Sequence, residues 1–69
     1  MDAYREVQRL YAEAMMSAAS GDELVAELGE TVQRIGDLLP QTAPGERASV
    51  LLMNSSLAER LARLPKETR

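Results

Sequence analysis

Apolar residues recur every three or four positions along three separate segments of this chain, and this spacing constrains the fold more than any other feature. Because an α-helix has about 3.6 residues per turn, such a row lies on one side of a helix and can be buried there. The pattern predicts helices over residues 3–19, 22–39 and 44–64, followed by a polar tail over residues 65–69. The three rows consist of Tyr4, Val7, Tyr11, Ala14 and Ala18, then Val25, Leu28, Val32, Ile35 and Leu39, then Val50, Asn54, Leu57, Leu61 and Leu64.

Short breaks separate the three segments. Gly21 has the freedom that a tight turn needs, and Ser20 and Glu23 have the spacing of a capping box at the start of the second helix. Pro40 ends the second helix, because the residue before a proline disfavours the helical conformation, and Pro44 suits the first turn of the third. Connections this short favour antiparallel neighbours. The predicted fold class is therefore all-α, a single small domain of three antiparallel helices or a long helical hairpin with a third helix alongside.

The length of the chain limits how much apolar surface one copy can bury. A domain of 69 residues is only marginally stable unless cross-links, a metal or association support it. The sequence contains no Cys and no His, which excludes disulfides and removes the commonest zinc ligands. Self-association or binding to a partner is therefore expected.

Charge and hydropathy exclude several classes of function. Acidic residues outnumber basic ones and leave a net charge of −3, which argues against a nucleic-acid-binding protein. No apolar run approaches the roughly 20 residues of a membrane helix, and the first residues do not resemble a signal peptide. These observations predict a cytoplasmic protein without membrane insertion.

The sequence offers no set of residues typical of catalysis. The serines have no His to activate them, and the sole Lys, Lys66, lies in the predicted tail. The glycines form no phosphate-binding motif, and no calcium-loop spacing is present. We therefore predict no catalytic, cofactor-binding or metal site, and a protein that is not an enzyme.

Four consecutive apolar residues, Val50-Leu51-Leu52-Met53, provide the first candidate site. They span a full helical turn, so they cannot all face one core, and the second side is expected to contact another molecule. Leu52 lies about 200° around the helix from Val50, which makes it the residue expected in the contact, with Met53 at the edge. The alternative is that one leucine is simply exposed, as surfaces allow.

Polar, flexible and small residues provide further candidates. Asn54 either fixes the register or oligomeric state of the third helix or lies at a rim and faces water. Met15 and Met16 either extend an adaptable binding surface or fill the core. Gly29 and Gly36, seven residues apart, either let another backbone approach closely or are tolerated surface positions. The candidate protein-binding residues are Leu52, Met53, Val50, Leu51, Asn54, Met15 and Met16.

Residues 10–28 read LYAEAMMSAASGDELVAEL, and this run resembles the first hairpin of FliT-type flagellar export chaperones. The paired Leu38-Leu39 before a proline-containing loop, Glu46-Arg47 and the third segment ending in residues 61–64 continue the resemblance. The resemblance implies a bacterial, cytosolic helical chaperone that binds a secreted flagellar subunit, with no catalytic residues.

Three hypotheses for function follow. The first is a helical secretion chaperone or adaptor that binds a partner's amphipathic helix in an apolar groove. The second is a structural homo-oligomer in which the third helix meets its own copy. The third is a small antitoxin, immunity protein or inhibitor that covers a target surface.

Overall fold

A computed structural model describes residues 2–65, which form three α-helices and no β-strand. The helices are α1 (Ala3–Met15), α2 (Gly21–Leu38) and α3 (Arg47–Arg63), and two 3₁₀ turns, Leu39–Gln41 and Pro44–Glu46, connect α2 to α3. The predicted all-α class is confirmed. Of the predicted polar tail, residues 66–69 lie outside the described residues.

The helix α1 ends at Met15, four residues before the predicted boundary. The reason is a serine side chain in the segment that follows. The Ser17 hydroxyl accepts a hydrogen bond from the Ala19 amide at 3.1 Å and donates one to the Glu27 carboxylate on α2. A hydroxyl that bonds nearby backbone competes with helical hydrogen bonds, so the chain turns here although the apolar spacing continues to Ala18.

The turn before α2 depends on Gly21. Its φ of +61° lies in the left-handed region that glycine adopts without steric cost, as the predicted turn requires. The predicted capping box is wrong, because Ser20 is the N-cap but its side chain makes no capping hydrogen bond. The left-handed residue at the start of α2 alters the first turn on which that motif depends.

The connection between α2 and α3 is more ordered than a simple loop. Thr42 is buried, and its hydroxyl donates a hydrogen bond to the Leu39 carbonyl oxygen at 2.7 Å. The Ala43 amide donates to the Glu46 carboxylate at 3.0 Å. Pro44 therefore opens a separate 3₁₀ turn, and α3 begins three residues later than predicted.

The buried core consists of aliphatic residues from all three helices, and on each helix two of them lie seven residues apart. Seven-residue spacing keeps one stripe facing the same neighbours over two turns, which suits shallow, coiled-coil-like crossing. The buried apolar side chains are Val7, Ala14, Leu24, Leu28, Ile35, Val50 and Leu57.

The helices run up, down and up, so that α1 and α3 are parallel and α2 is antiparallel to both. The hydroxyl groups of Tyr4 and Ser49 lie 3.0 Å apart and share a hydrogen bond, which places the first turns of α1 and α3 side by side. Val25 on α2 lies beside Leu61 on α3. Over residues 2–65, no helix combines the length and apolar character needed to cross a bilayer.

Candidate protein-binding surface

The helix α3 is apolar on two sides. Val50 and Leu57 are buried against α1 and α2, with exposed fractions of 1% and 0%. Leu51 and Leu52 point outwards, with exposed fractions of 51% and 73%. A helix that packs on one side only has a polar opposite face, so the outer side of α3 departs from that arrangement.

The outer side of α3 also lacks charge over almost three turns. No charged residue occurs between Arg47 and Glu59. The exposed residues in this interval that point away from the core form what we call the α3 outer face, and small side chains surround its leucines. The α3 outer face consists of Ala48, Leu51, Leu52, Ser55, Ser56 and Ala58, all exposed.

The predicted run of four apolar residues divides between core and surface. Val50 does not contribute to an exposed surface, because it lies on the buried row with Leu57, one heptad away. Met53 is partly buried and packs against the core. Leu51 and Leu52 are the two residues of the run that remain available to another molecule.

Asn54 lies beside the buried row and is partly buried. Its side-chain oxygen Oδ1 is shielded from solvent and has no hydrogen-bond partner among the described residues. A buried acceptor left without a partner costs about 1–3 kcal/mol. Asn54 therefore lowers the stability of the single chain at this position.

Met15 and Met16 are exposed, with exposed fractions of 41% and 77%, so they do not fill the core. The Tyr4–Ser49 contact places α1 residue 15 level with about residue 60 of α3. Along the helix axis this lies roughly 12 Å from Leu52, at 1.5 Å per residue. The structure does not bring the methionine pair and the leucine pair into one patch.

An apolar groove runs between α2 and α3 along the side of the α3 outer face. We call it the α2–α3 groove. At the end near the start of α2 it is lined by Val25, Ala58, Leu61, Ala62 and Leu64.

Two glycines lie on the same side of α2 as Val25. Gly29 and Gly36 are within about 40° of Val25 around the helix. Apart from the adjoining backbone of α2, a Cβ atom built on either glycine would meet nothing within 4 Å. Within one chain the glycines therefore do not serve close packing, and they leave open space on this side of α2.

The charges of α1 pair with one another on the opposite side of the molecule. The Arg9 guanidinium donates hydrogen bonds to the carboxylates of Glu6 and Glu13, the latter at 2.7 Å. The hydrogen bond from Arg9 lowers the pKa of Glu6, and the bonds to Glu6 and Glu13 raise the pKa of Arg9. These three residues form a charged row with a net charge of −1, which contrasts with the uncharged α3 outer face.

Sequence reasoning named Leu51 but missed the small residues around it. Together with Leu51, these form a second row on α3 with a spacing of three, four, three and four residues, which is the spacing of helix packing: Ala48, Ser55, Ala58 and Ala62. Attention to large apolar residues hides this row. The gap in charge after Arg47 is the sequence signal that would have revealed it.

The candidate surface consists of aliphatic and small side chains. Within residues 2–65, no cluster of three or more His, Cys, Asp or Glu side chains is placed to hold a metal ion. The α3 outer face and the α2–α3 groove together present aliphatic and small side chains suited to another helix. Comparisons with protein-family models, curated proteins and solved structures found no match for the chain.

Proposed function

We propose that this chain is a non-catalytic protein-binding module that uses the α3 outer face to bind a helix of another protein molecule. One observation carries the proposal. Leu51 and Leu52 are exposed on a stretch of α3 that has no charged residue from Ala48 to Ala58. Contiguous apolar surface on a small protein is typical of an interaction site.

The contrast between the helices supports this assignment. The outer sides of α1 and α2 carry exposed charged residues such as Arg5, Glu13, Glu30 and Asp37. Those residues solvate their helices without a partner. On α3, covering the two leucines removes aliphatic surface from water at about 25 cal/mol per Å², and the small neighbours Ala48 and Ser55 allow another helix to approach closely.

The specific form that we propose is a bacterial secretion chaperone or adaptor of the cytosol, which is what the resemblance to FliT-type flagellar export chaperones implies. The residues that carry the resemblance lie on α1, the Gly21 turn and α2. A chaperone of this kind binds an amphipathic helix of its substrate, and the exposed leucines of the α3 outer face offer aliphatic surface for such a helix.

Site-specific photo-crosslinking tests the binding surface directly. We would replace Leu52 with the photoreactive residue p-benzoylphenylalanine, irradiate the source cells and identify the products by mass spectrometry. Gln8, exposed on α1, provides the matched control position. We expect a discrete protein adduct from position 52 and none from position 8.

The identity of the adduct separates the forms of the proposal. A secreted flagellar subunit would support the chaperone, a toxin or enzyme would instead support an inhibitor, and a second copy of the chain would support a homo-oligomer. Equal, diffuse labelling from positions 52 and 8 would show that the α3 outer face is only exposed surface, and the proposed function would be wrong.

A further inference from the structure

We propose that the α2–α3 groove binds the α3 helix of a second copy of this chain, so that two copies form a symmetric dimer. This inference rests on the proposed function, because it uses the same α3 outer face, and it takes a second copy of the chain rather than a secreted substrate as the molecule bound there. It goes further by giving the orientation of the partner and the residues in contact.

The first argument is that the surface of α3 complements itself. Leu51, Ser55, Ala58 and Ala62 are exposed and lie, with Ala48, within about 80° of one another around the helix. Their alternating spacing of three and four residues is the spacing at which one helix packs along another. Because the row carries no charge, two copies can meet along it without burying an unpaired ion.

Symmetry then determines the direction of the helices. In a closed dimer each α3 must lie in the α2–α3 groove of the other copy, and a two-fold axis relates the copies. An axis perpendicular to the helices would place both α2 helices on the same side of the α3 pair, where they would overlap. The axis therefore runs along the bundle, so the two α3 helices are parallel and in register.

This arrangement places each α3 antiparallel to the second copy's α2 and gives a core of four helices, two from each chain. Within one chain, Val25 and Leu61 line the same groove, which places the start of α2 about level with residues 58–64 of α3. In the dimer, the second copy's Leu52 is then level with residues 33–36 of α2. The open space at Gly36 lies at this level, and it gives the exposed leucine a place to pack.

Charges at the end of the groove favour a second α3 as the occupant. Asp22 and Glu23 are exposed at the start of α2, and the second copy's Arg63 comes level with them. Glu59 would face the same acidic helix and repel it, but the Arg63 guanidinium of its own chain, 4.0 Å away, offsets that charge. The C-terminal turn of α3 contains both Arg60 and Arg63, so a basic helix end meets an acidic one.

Sedimentation equilibrium on two arginine variants tests the dimer. Ser55 lies on the packing row of α3, whereas Gln8 lies on α1, and both are exposed. We expect the wild type to associate with increasing concentration. Ser55→Arg should weaken association by roughly tenfold or more, because it places a cation in a desolvated contact, and Gln8→Arg should retain it.

A single introduced cysteine tests the orientation, since the chain contains none of its own. In the parallel dimer Ala48 faces the second copy's Ala48, so Ala48→Cys should form a covalent dimer under mild oxidation. An antiparallel pair would separate these positions. Circular dichroism at the lowest usable concentration checks that each variant folds, and Ala62→Arg replaces Ser55→Arg if the latter lowers helicity.

A wild type that sediments as a monomer at every concentration would overturn the dimer. The proposed function would still stand if position 52 crosslinks to a different protein, so the two failures are distinguishable. A dimer that persists in Ser55→Arg, or that yields no covalent product from Ala48→Cys, would overturn the assigned arrangement. Association lost in Ser55→Arg and kept in Gln8→Arg, together with covalent capture at residue 48, would support it.

Discussion

Replacing Leu57 with alanine should destabilise this protein severely, whereas the same change at Leu52 should have little effect on the single chain. Leu57 is fully buried in the core, with an exposed fraction of 0%. Removing a buried leucine side chain loses its transfer free energy and leaves a cavity, which together cost about 2–5 kcal/mol. A domain of this length has a free energy of unfolding of roughly 3–10 kcal/mol, so Leu57→Ala should remove about half of it.

The free-energy cost of the same change at Leu52 follows from the exposed fraction of that side chain, 73%. With only a quarter of the side chain covered, Leu52→Ala should cost about 0.4–0.8 kcal/mol, scaled from about 1.5–3 kcal/mol for full burial. Urea unfolding followed by circular dichroism, at a protein concentration low enough to prevent association, measures both values. Equal losses at the two positions would refute the assignment of inner and outer sides of α3. A loss below about 1 kcal/mol for Leu57→Ala would refute the position of the core.

Three further changes should alter stability in predictable directions. Gly36→Ala should raise the free energy of unfolding in dilute solution by about 0.5–1 kcal/mol, because a Cβ there meets open space; Gly21→Ala should lower it by about 1 kcal/mol, since φ is +61°. If urea unfolding showed that both variants change the free energy of unfolding in the same direction, this prediction would be contradicted. Asn54→Leu should raise the melting temperature, because it removes a buried acceptor that lacks a partner, and a lower melting temperature would show that the amide is satisfied in solution. The hydrogen bond from Arg9 lowers the pKa of Glu6, so the ionised carboxylate should stabilise the fold above the usual pKa of the group. This stabilisation should be lost as pH falls through the lowered pKa. A Glu6→Gln variant whose melting temperature falls as steeply with acid as the wild type's would contradict that role.

The sequence predicts the elements well because periodicity reports which side of a helix is buried. All seven buried apolar residues except Leu24 belong to the predicted rows. The boundaries were less predictable. The end of α1 depends on the Ser17 hydroxyl bonding to Glu27, a contact between residues of two helices that no spacing within one helix reveals. The delayed start of α3 likewise depends on the buried Thr42 and on Glu46.

The candidate surface was predictable only in part, and for a physical reason. Consecutive apolar residues show that α3 has apolar surface on two sides, but not which residues face the core. Val50 and Leu51 have the same chemical character, and tertiary packing alone buries the first and leaves 51% of the second exposed. The surroundings of Gly29 and Gly36 also could not be predicted, because a glycine in a close helix contact and a glycine beside open space look identical in the sequence.

The exposed leucines of α3 connect the small size of the chain to its proposed function. Leu51 and Leu52 together leave the equivalent of about one and a quarter leucine side chains in water, from their exposed fractions of 51% and 73%. Covering them would contribute about 2–4 kcal/mol per chain at 1.5–3 kcal/mol for each fully buried leucine. That gain is comparable to much of the stability expected of a domain this small. A partner that binds only the folded state stabilises it by mass action. The exposed Leu51 and Leu52 therefore make the stability of this small chain depend on the molecule that covers α3.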